Sequence, residues 1–168
     1  MPPRSDRPDR AVGARYAILA VFLVVAAVLA GAQRAHAGEG PDAMAVETVT
    51  VETAQGRFAF EAEIARTSEQ QAKGLMFRRE LGETAGMLFD FGVEREVMMW
   101  MRNTYIPLDM VFIKPDGTVH RVAENTTPFS ERIIPSGGPV SAVLEVRAGT
   151  AERIGLEPGD RVRHRIFQ

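Results

Sequence analysis

Residues 100–112 read Trp100-Met101-Arg102-Asn103-Thr104-Tyr105-Ile106-Pro107-Leu108-Asp109-Met110-Val111-Phe112. An apolar strand breaks into a polar turn, meets a proline and resumes as a second apolar strand. Upstream, alternation from Val97 puts Met98, Trp100 and Arg102 on one face and Val97, Met99 and Met101 on the other. Both faces are apolar, so the strand is expected to be buried on both sides as far as Arg102. Polar side chains held between such segments must find hydrogen-bond partners or line a cavity. The rest of the chain is read outward from this break.

Strands dominate in both directions. Val46 to Thr53 is rich in Val and Thr, Gln55-Gly56 marks a turn, and Arg57 to Ile64 alternates, with Phe58, Phe60, Ala62 and Ile64 sharing a face. The two segments predict an antiparallel hairpin. Thr67 with Gln70 three residues on forms a capping box, Glu69 complements the helix dipole, and Gly74 is the expected stop. Leu75, Met76 and Phe77 are expected to enter the core behind it. Met87 to Phe91 and Val97 to Met101 read as two short strands, and Asp109 to Ile113 as another. Lys114-Pro115-Asp116-Gly117 turns the chain into Thr118 to Ala123. Asn125 to Pro139 reads as a long loop rich in Pro and Gly, and Val140 to Val146 as a strand. Thr150 to Ile154 is a helical turn closed by Gly155, and Glu157 to Asp160 is a turn into a last strand. That strand points Val162, His164 and Ile166 inward and Arg161, Arg163 and Arg165 outward. Short, closely spaced strands with one or two short helices predict a mainly β domain, a compact antiparallel β-sandwich or barrel.

The N-terminus reads as a targeting segment. Arg4, Arg7, Arg10 and Arg15 precede the apolar run Tyr16 to Ala32, and Ala35-His36-Ala37 supplies a small-x-small cleavage pattern. Residues 1–37 are expected to be a signal peptide, residues 38–45 a flexible lead-in and residues 46–168 a single domain. The alternative is an uncleaved membrane anchor, since seventeen apolar residues reach the short end of a membrane span. Export predicts a periplasmic or secreted protein, or one anchored in the inner membrane and facing the periplasm. Five of the 20 basic and two of the 22 acidic residues fall in the leader, leaving 15 against 20, a balance of −5. That balance argues against a nucleic-acid partner. The absence of cysteine excludes thiol chemistry, thiolate metal sites and a lipid anchor through cysteine.

Several stretches carry a resemblance. Gly74-Leu75-Met76-Phe77-Arg78, Gly86-Met87-Leu88-Phe89, Trp100 to Thr104, Ile106-Pro107-Leu108-Asp109-Met110, Val143-Leu144-Glu145, Ala148-Gly149-Thr150-Ala151 and Pro158-Gly159-Asp160 follow, in that order, the motifs of DUF192, a domain-of-unknown-function family. The resemblance spans about Val49 to Val162. Arg102 departs from it mildly, standing where many members carry lysine. It implies a compact, mainly β fold of jelly-roll or barrel character, and no established activity.

The residues themselves suggest one candidate site. Arg78, Trp100, Asn103, Asp109 and Glu145 are expected to converge as ligand-binding residues on a pocket walled by Trp100 and the core methionines. Asn103 and Asp109 serve equally well to tie down the turn before Pro107, and Arg78 is expected first to bridge to Asp109 or Glu145, with anion binding as the lesser alternative. An aromatic wall beside Asn and Asp suits a small polar or sugar-like ligand. A carboxylate-dependent hydrolase of envelope polysaccharide, using Asp109 and Glu145 as acid and base, is the alternative, and a structural interaction protein without a ligand is the third reading. Six of eight methionines lie between Met76 and Met110, which raises Cu(I), but they sit in apolar strands where methionine fills gaps. His120 and His164 have no metal-ligand spacing, and none of the four serines after the leader lies in a nucleophile elbow. No cofactor or metal is expected.

Overall fold

The computed structural model describes residues 43–167. The expected leader and most of the lead-in lie outside the described residues. Seven strands and two short helices follow in order: β1 (Val46–Thr53), β2 (Gly56–Ala65), α1 (Ser68–Lys73), β3 (Ala85–Met99), β4 (Leu108–Ile113), β5 (Val119–Ala123), β6 (Ile134–Arg147), α2 (Thr150–Ile154) and β7 (Arg161–Arg163). They form one sheet in the order β5-β4-β6-β3-β2-β1-β7.

The local signals act as expected. β1 and β2 pair antiparallel from Val46↔Glu63 down to Thr53↔Gly56, and Phe60, Ala62 and Ile64 are buried. In α1 the Thr67 hydroxyl accepts from the Gln70 N–H while the Gln70 side chain accepts from the Thr67 N–H, a complete capping box. Gly74 ends that helix with φ 48° and ψ −137°, away from the left-handed helical values expected of it. Its Cα packs against Phe89, where an added methyl would sit 3.1 Å from the ring.

Longer-range pairing departs from the sequence reading in four ways. First, β2 and β3 pair in parallel, joined by the α1 crossover, so the sheet is mixed. Second, the two expected strands at Met87 and Val97 are one strand, β3, with ladder irregularities between Asp90 and Arg95 and between Glu96 and Met98. Third, the expected loop from Asn125 is shorter, because Ile134 to Pro139 pair with β3 as the first part of β6. Pro135 and Pro139 are tolerated there because the ladder is bulged, where a missing N–H is least damaging. Fourth, only Leu75 of the apolar triplet is fully buried, while Phe77 is 63% exposed with φ 64°.

The sheet curls into a half-barrel whose first and last strands meet at one end. Thr118 bridges Arg161, the Val119 N–H donates to the Asp160 carbonyl at 2.8 Å, and the Val162 N–H to the Gly117 carbonyl at 2.7 Å. One face encloses a core containing Val49, Phe60, Leu88, Val111, Leu144 and Val162, plugged by Ala151 and Ile154 of α2. The other face holds a second core, including Leu75, Met87, Phe89, Met101, Met110 and Val143. β4 and Ala142 to Val146 of β6 are buried on both faces, which explains their largely apolar sequences.

Gly117 sits at the seam with φ 84°, and a methyl there would run into the Val162 carbonyl. Gly117→Ala is expected to destabilise the domain by about 1–3 kcal/mol. Denaturant unfolding should show the loss, and the Val162 amide should exchange hydrogen faster than in the parent.

Candidate functional site

The five expected residues do not form one cluster. Their separation follows from strand register. Asp109 pairs with Val146 and Met110 with Glu145 across β4 and β6. Directly opposed residues share a face and successive ones alternate, so Asp109 and Glu145 project from opposite sides of the sheet.

Asp109 is fully buried and fully occupied. Its carboxylate accepts from the Asn125 N–H and from the Ala151 N–H, each at 2.8 Å, tying the loop after β5 and the start of α2 to β4. This is the loop-capping role weighed for it from the sequence. Arg78 is bound neither to Asp109 nor to Glu145. Its guanidinium forms a two-pronged pair with Glu63, at 2.5 and 2.7 Å. Asn103 occupies the turn at φ 54°, and among the described residues its amide reaches only the Met76 sulfur, at 3.8 Å. The Thr104 N–H donates to the Met101 carbonyl, completing that turn.

Glu145 and Trp100 do share a cavity. It holds about 480 Å³ between α1, Gly74 to Met76 and the outer half of β3, with Phe89, Phe91, Met98, Trp100 and Glu145 among its lining. Trp100 is 40% and Met98 63% exposed, so the strand leading to the break is not buried on both sides. Val97 and Met101 on its other face are buried, and the alternation read from sequence holds. The loops cover only the inner side. Arg102 stacks over the Trp100 ring at 4.9 Å, and Arg95, itself in the cavity lining, over Phe91 at 5.0 Å.

Glu145 reaches this cavity from β6, between Met87 of β3 and Met110 of β4 on the same sheet face. It is only 4% exposed, and no hydrogen bond or ion pair reaches its carboxyl from any described residue. Burial alone pushes its pKa up to about 8. At neutral pH it is therefore chiefly a neutral acid, able to donate as well as accept.

Several other charged groups pair with one another. Glu47 takes Arg165, Arg66 and His164, and the Arg165 hydrogen bond foremost holds its carboxyl down at about 2. His164 keeps its Nδ1 buried without a partner, so it is only half satisfied. Arg163 pairs with Glu52 and Arg161 with Asp116 along β7. Among the described residues no group of three His, Asp or Glu side chains could hold a metal ion, and no helix is long and apolar enough to cross a membrane.

Two outcomes separate the carboxylates. Asp109→Ala leaves one buried and one part-buried N–H without an acceptor and is expected to destabilise by about 2–4 kcal/mol, read from chemical denaturation. Glu145 acts through pH. Its folded pKa lies above the ordinary 4.5, so the folded state holds a proton that the unfolded state releases. The stability it contributes is complete below pH 4.5 and is lost as pH rises to about 8. The parent should therefore lose stability on the order of a few kcal/mol across that window, and Glu145→Gln should remove this slope in unfolding curves taken from pH 5 to 9.

Comparison with known proteins agrees with the motifs. A crystal structure from Sinorhizobium meliloti 1021, described as "a putative transcription regulator", is 50% identical with a TM-score of 0.71, covering 75% of this chain and 97% of that one. A protein of unknown function from Novosphingobium aromaticivorans DSM 12444 is 44% identical with a TM-score of 0.72, covering 80% of this chain and 96% of that one. No curated protein matches. The model of the family DUF192, described as an uncharacterized ACR, matches residues 49–164, and the chain belongs to that family.

Proposed function

We propose that this protein is a small-molecule-binding module exported to the cell envelope, with the cavity between α1 and β3 as its binding site. One observation carries the reading: a carboxyl 4% exposed and without a partner among the described residues opens onto a 480 Å³ cavity. Buried polar groups are nearly always paired, and an unpaired one costs about 1–3 kcal/mol. A ligand group that pairs with it recovers that loss. The volume falls in the range of small-molecule sites, and one polar anchor among aromatic and methionine walls is their usual make-up.

The ligand fitted by such walls has an apolar body. Asn103 and Asp109, which favoured a sugar, are absent from the lining. The hydrolase alternative needs two carboxylates on one side of the scissile bond region, and here they lie on opposite faces of the sheet. The acidic balance after the leader gives no support for extending the regulator description of the Sinorhizobium protein to DNA contact by this chain. The arginine-led apolar N-terminus supports the exported location.

Trp100 is the chain's one tryptophan and reports directly on the cavity. The neutral dye N-phenyl-1-naphthylamine should bind saturably with energy transfer from Trp100. Ala72 lines the cavity from the exposed side of α1. Ala72→Phe should weaken the dye by at least about tenfold while shifting stability by no more than about 0.5 kcal/mol. Unchanged dye affinity in that variant would remove the cavity as the site.

A further inference from the structure

Resting on the binding-site reading above, we propose that the cavity selects an organic cation, a substituted ammonium carried on a compact apolar body, with Glu145 as its counter-ion. The argument begins with residue choice. Glu145 stands on a central strand between two methionines that are completely buried, Met87 and Met110. A serine, threonine or glutamine there would offer a ligand a hydrogen bond without ever placing a charge in an apolar site. A carboxylate adds one thing over them, an ion pair with a ligand that arrives positively charged. Among the described residues no cation pairs with Glu145, although Lys73 and Arg95 line the same cavity. Arg78 is held by Glu63, and Arg102 lies against Trp100 and 3.3 Å from Glu131.

The walls suit the same ligand. Phe89 and Phe91 stack with centroids 6.4 Å apart, and Trp100 closes another side of the cavity. Aromatic faces attract ammonium groups, and attract them more strongly when water is excluded. Two of these rings already attract guanidinium groups, Arg95 over Phe91 at 5.0 Å and Arg102 over Trp100 at 4.9 Å. The charged residues lining the cavity are Lys73 from α1 and Arg95 and Glu96 from β3. β4 contributes none, and none of the three shifts the ionisation of Glu145, which burial alone sets.

Binding of a cation then requires the neutral acid to ionise, so one proton leaves to solvent for each cation bound below pH 8. Benzyltrimethylammonium, which cannot itself titrate, is the probe, and neopentylbenzene is its uncharged isostere. The cation should bind at least about tenfold more tightly than the isostere at pH 8.5. Its affinity should rise about tenfold per pH unit from pH 6 to 7.5 and level off above pH 8. Calorimetry at pH 6.5 in buffers of different ionisation enthalpy should count close to one proton released. Glu145→Gln should abolish the pH dependence and the preference for charge. Should that variant fail to fold, the pH profile and the isostere comparison in the parent protein decide alone. Equal or tighter binding of neopentylbenzene, or a cation affinity flat with pH, overturns the proposal. If the dye binds and the cation does not, the charge assignment falls and the cavity stands as a site. If neither binds, both fall.

Discussion

Period-two alternation along β6, the strand lying between β4 and β3, is the constraint on which the molecule depends. Leu144 and Val146 enter the half-barrel, while Val143 and Glu145 face the opposite way. A strand apolar on both sides needs cover on both. The curl of the sheet and α2 supply one cover, and Leu75, Met101 and Ile106 from the connecting segments supply the other. The cavity lies where that second cover stops short, beside the outer half of β3. Glu145 is the polar exception in this arrangement, and it falls where the cover ends.

The four carboxylates on or near the inner strands show how differently one chemical group can be used. Asp109 accepts two backbone N–H bonds and stitches three segments together, a structural use of a buried carboxyl group. Glu63 and Glu47 lie toward the margin and engage arginines, Glu47 with His164 as well. Glu145 is buried with no hydrogen bond or ion pair from another described residue. Buried carboxyl groups left in this condition raise their pKa instead of ionising, and they concentrate at sites of function. The contrast with Asp109 is instructive because the two are neighbours in the ladder. Thirty-odd residues of intervening chain converge on one residue step, and that step decides whether a carboxyl is a brace or an anchor.

Backbone strain gathers in the same quarter of the molecule. Phe77, Asn103 and Phe129 all have positive φ, near 64°, 54° and 61°, a region that non-glycine residues adopt only when the surroundings demand it. The surroundings are visible. The Phe77 N–H donates to the Asn103 carbonyl at 2.9 Å and the Phe129 N–H to the Thr104 carbonyl at 3.2 Å, so the turn after Trp100 is held from both sides. Tyr105 and Phe129 meet edge to face at 4.8 Å. These contacts fix the segment that carries Trp100 into the cavity wall, and they leave Phe77 turned outward despite its apolar sequence neighbours.

What the sequence determined by itself was local. The Thr67–Gln70 cap, the Lys114 to Gly117 turn, the Gly155 helix stop and the inward row Phe60, Ala62, Ile64 all depend on groups a few residues apart, and hydrogen-bond chemistry at that range is written in residue type. Alternation likewise placed Val97 and Met101 together, and the ordered motifs identified the family. Tertiary structure decided everything that rests on pairing distant strands: that β2 and β3 run parallel, that Ile134 to Pro139 join β6, and that Arg78 finds Glu63. It also divided the expected site, keeping Trp100 with Glu145 and sending Asp109 to the other side of the sheet. The reason is the two-residue period of a strand. A slip of one residue between β4 and β6 would exchange those faces, and nothing in either segment alone records which register the fold adopts.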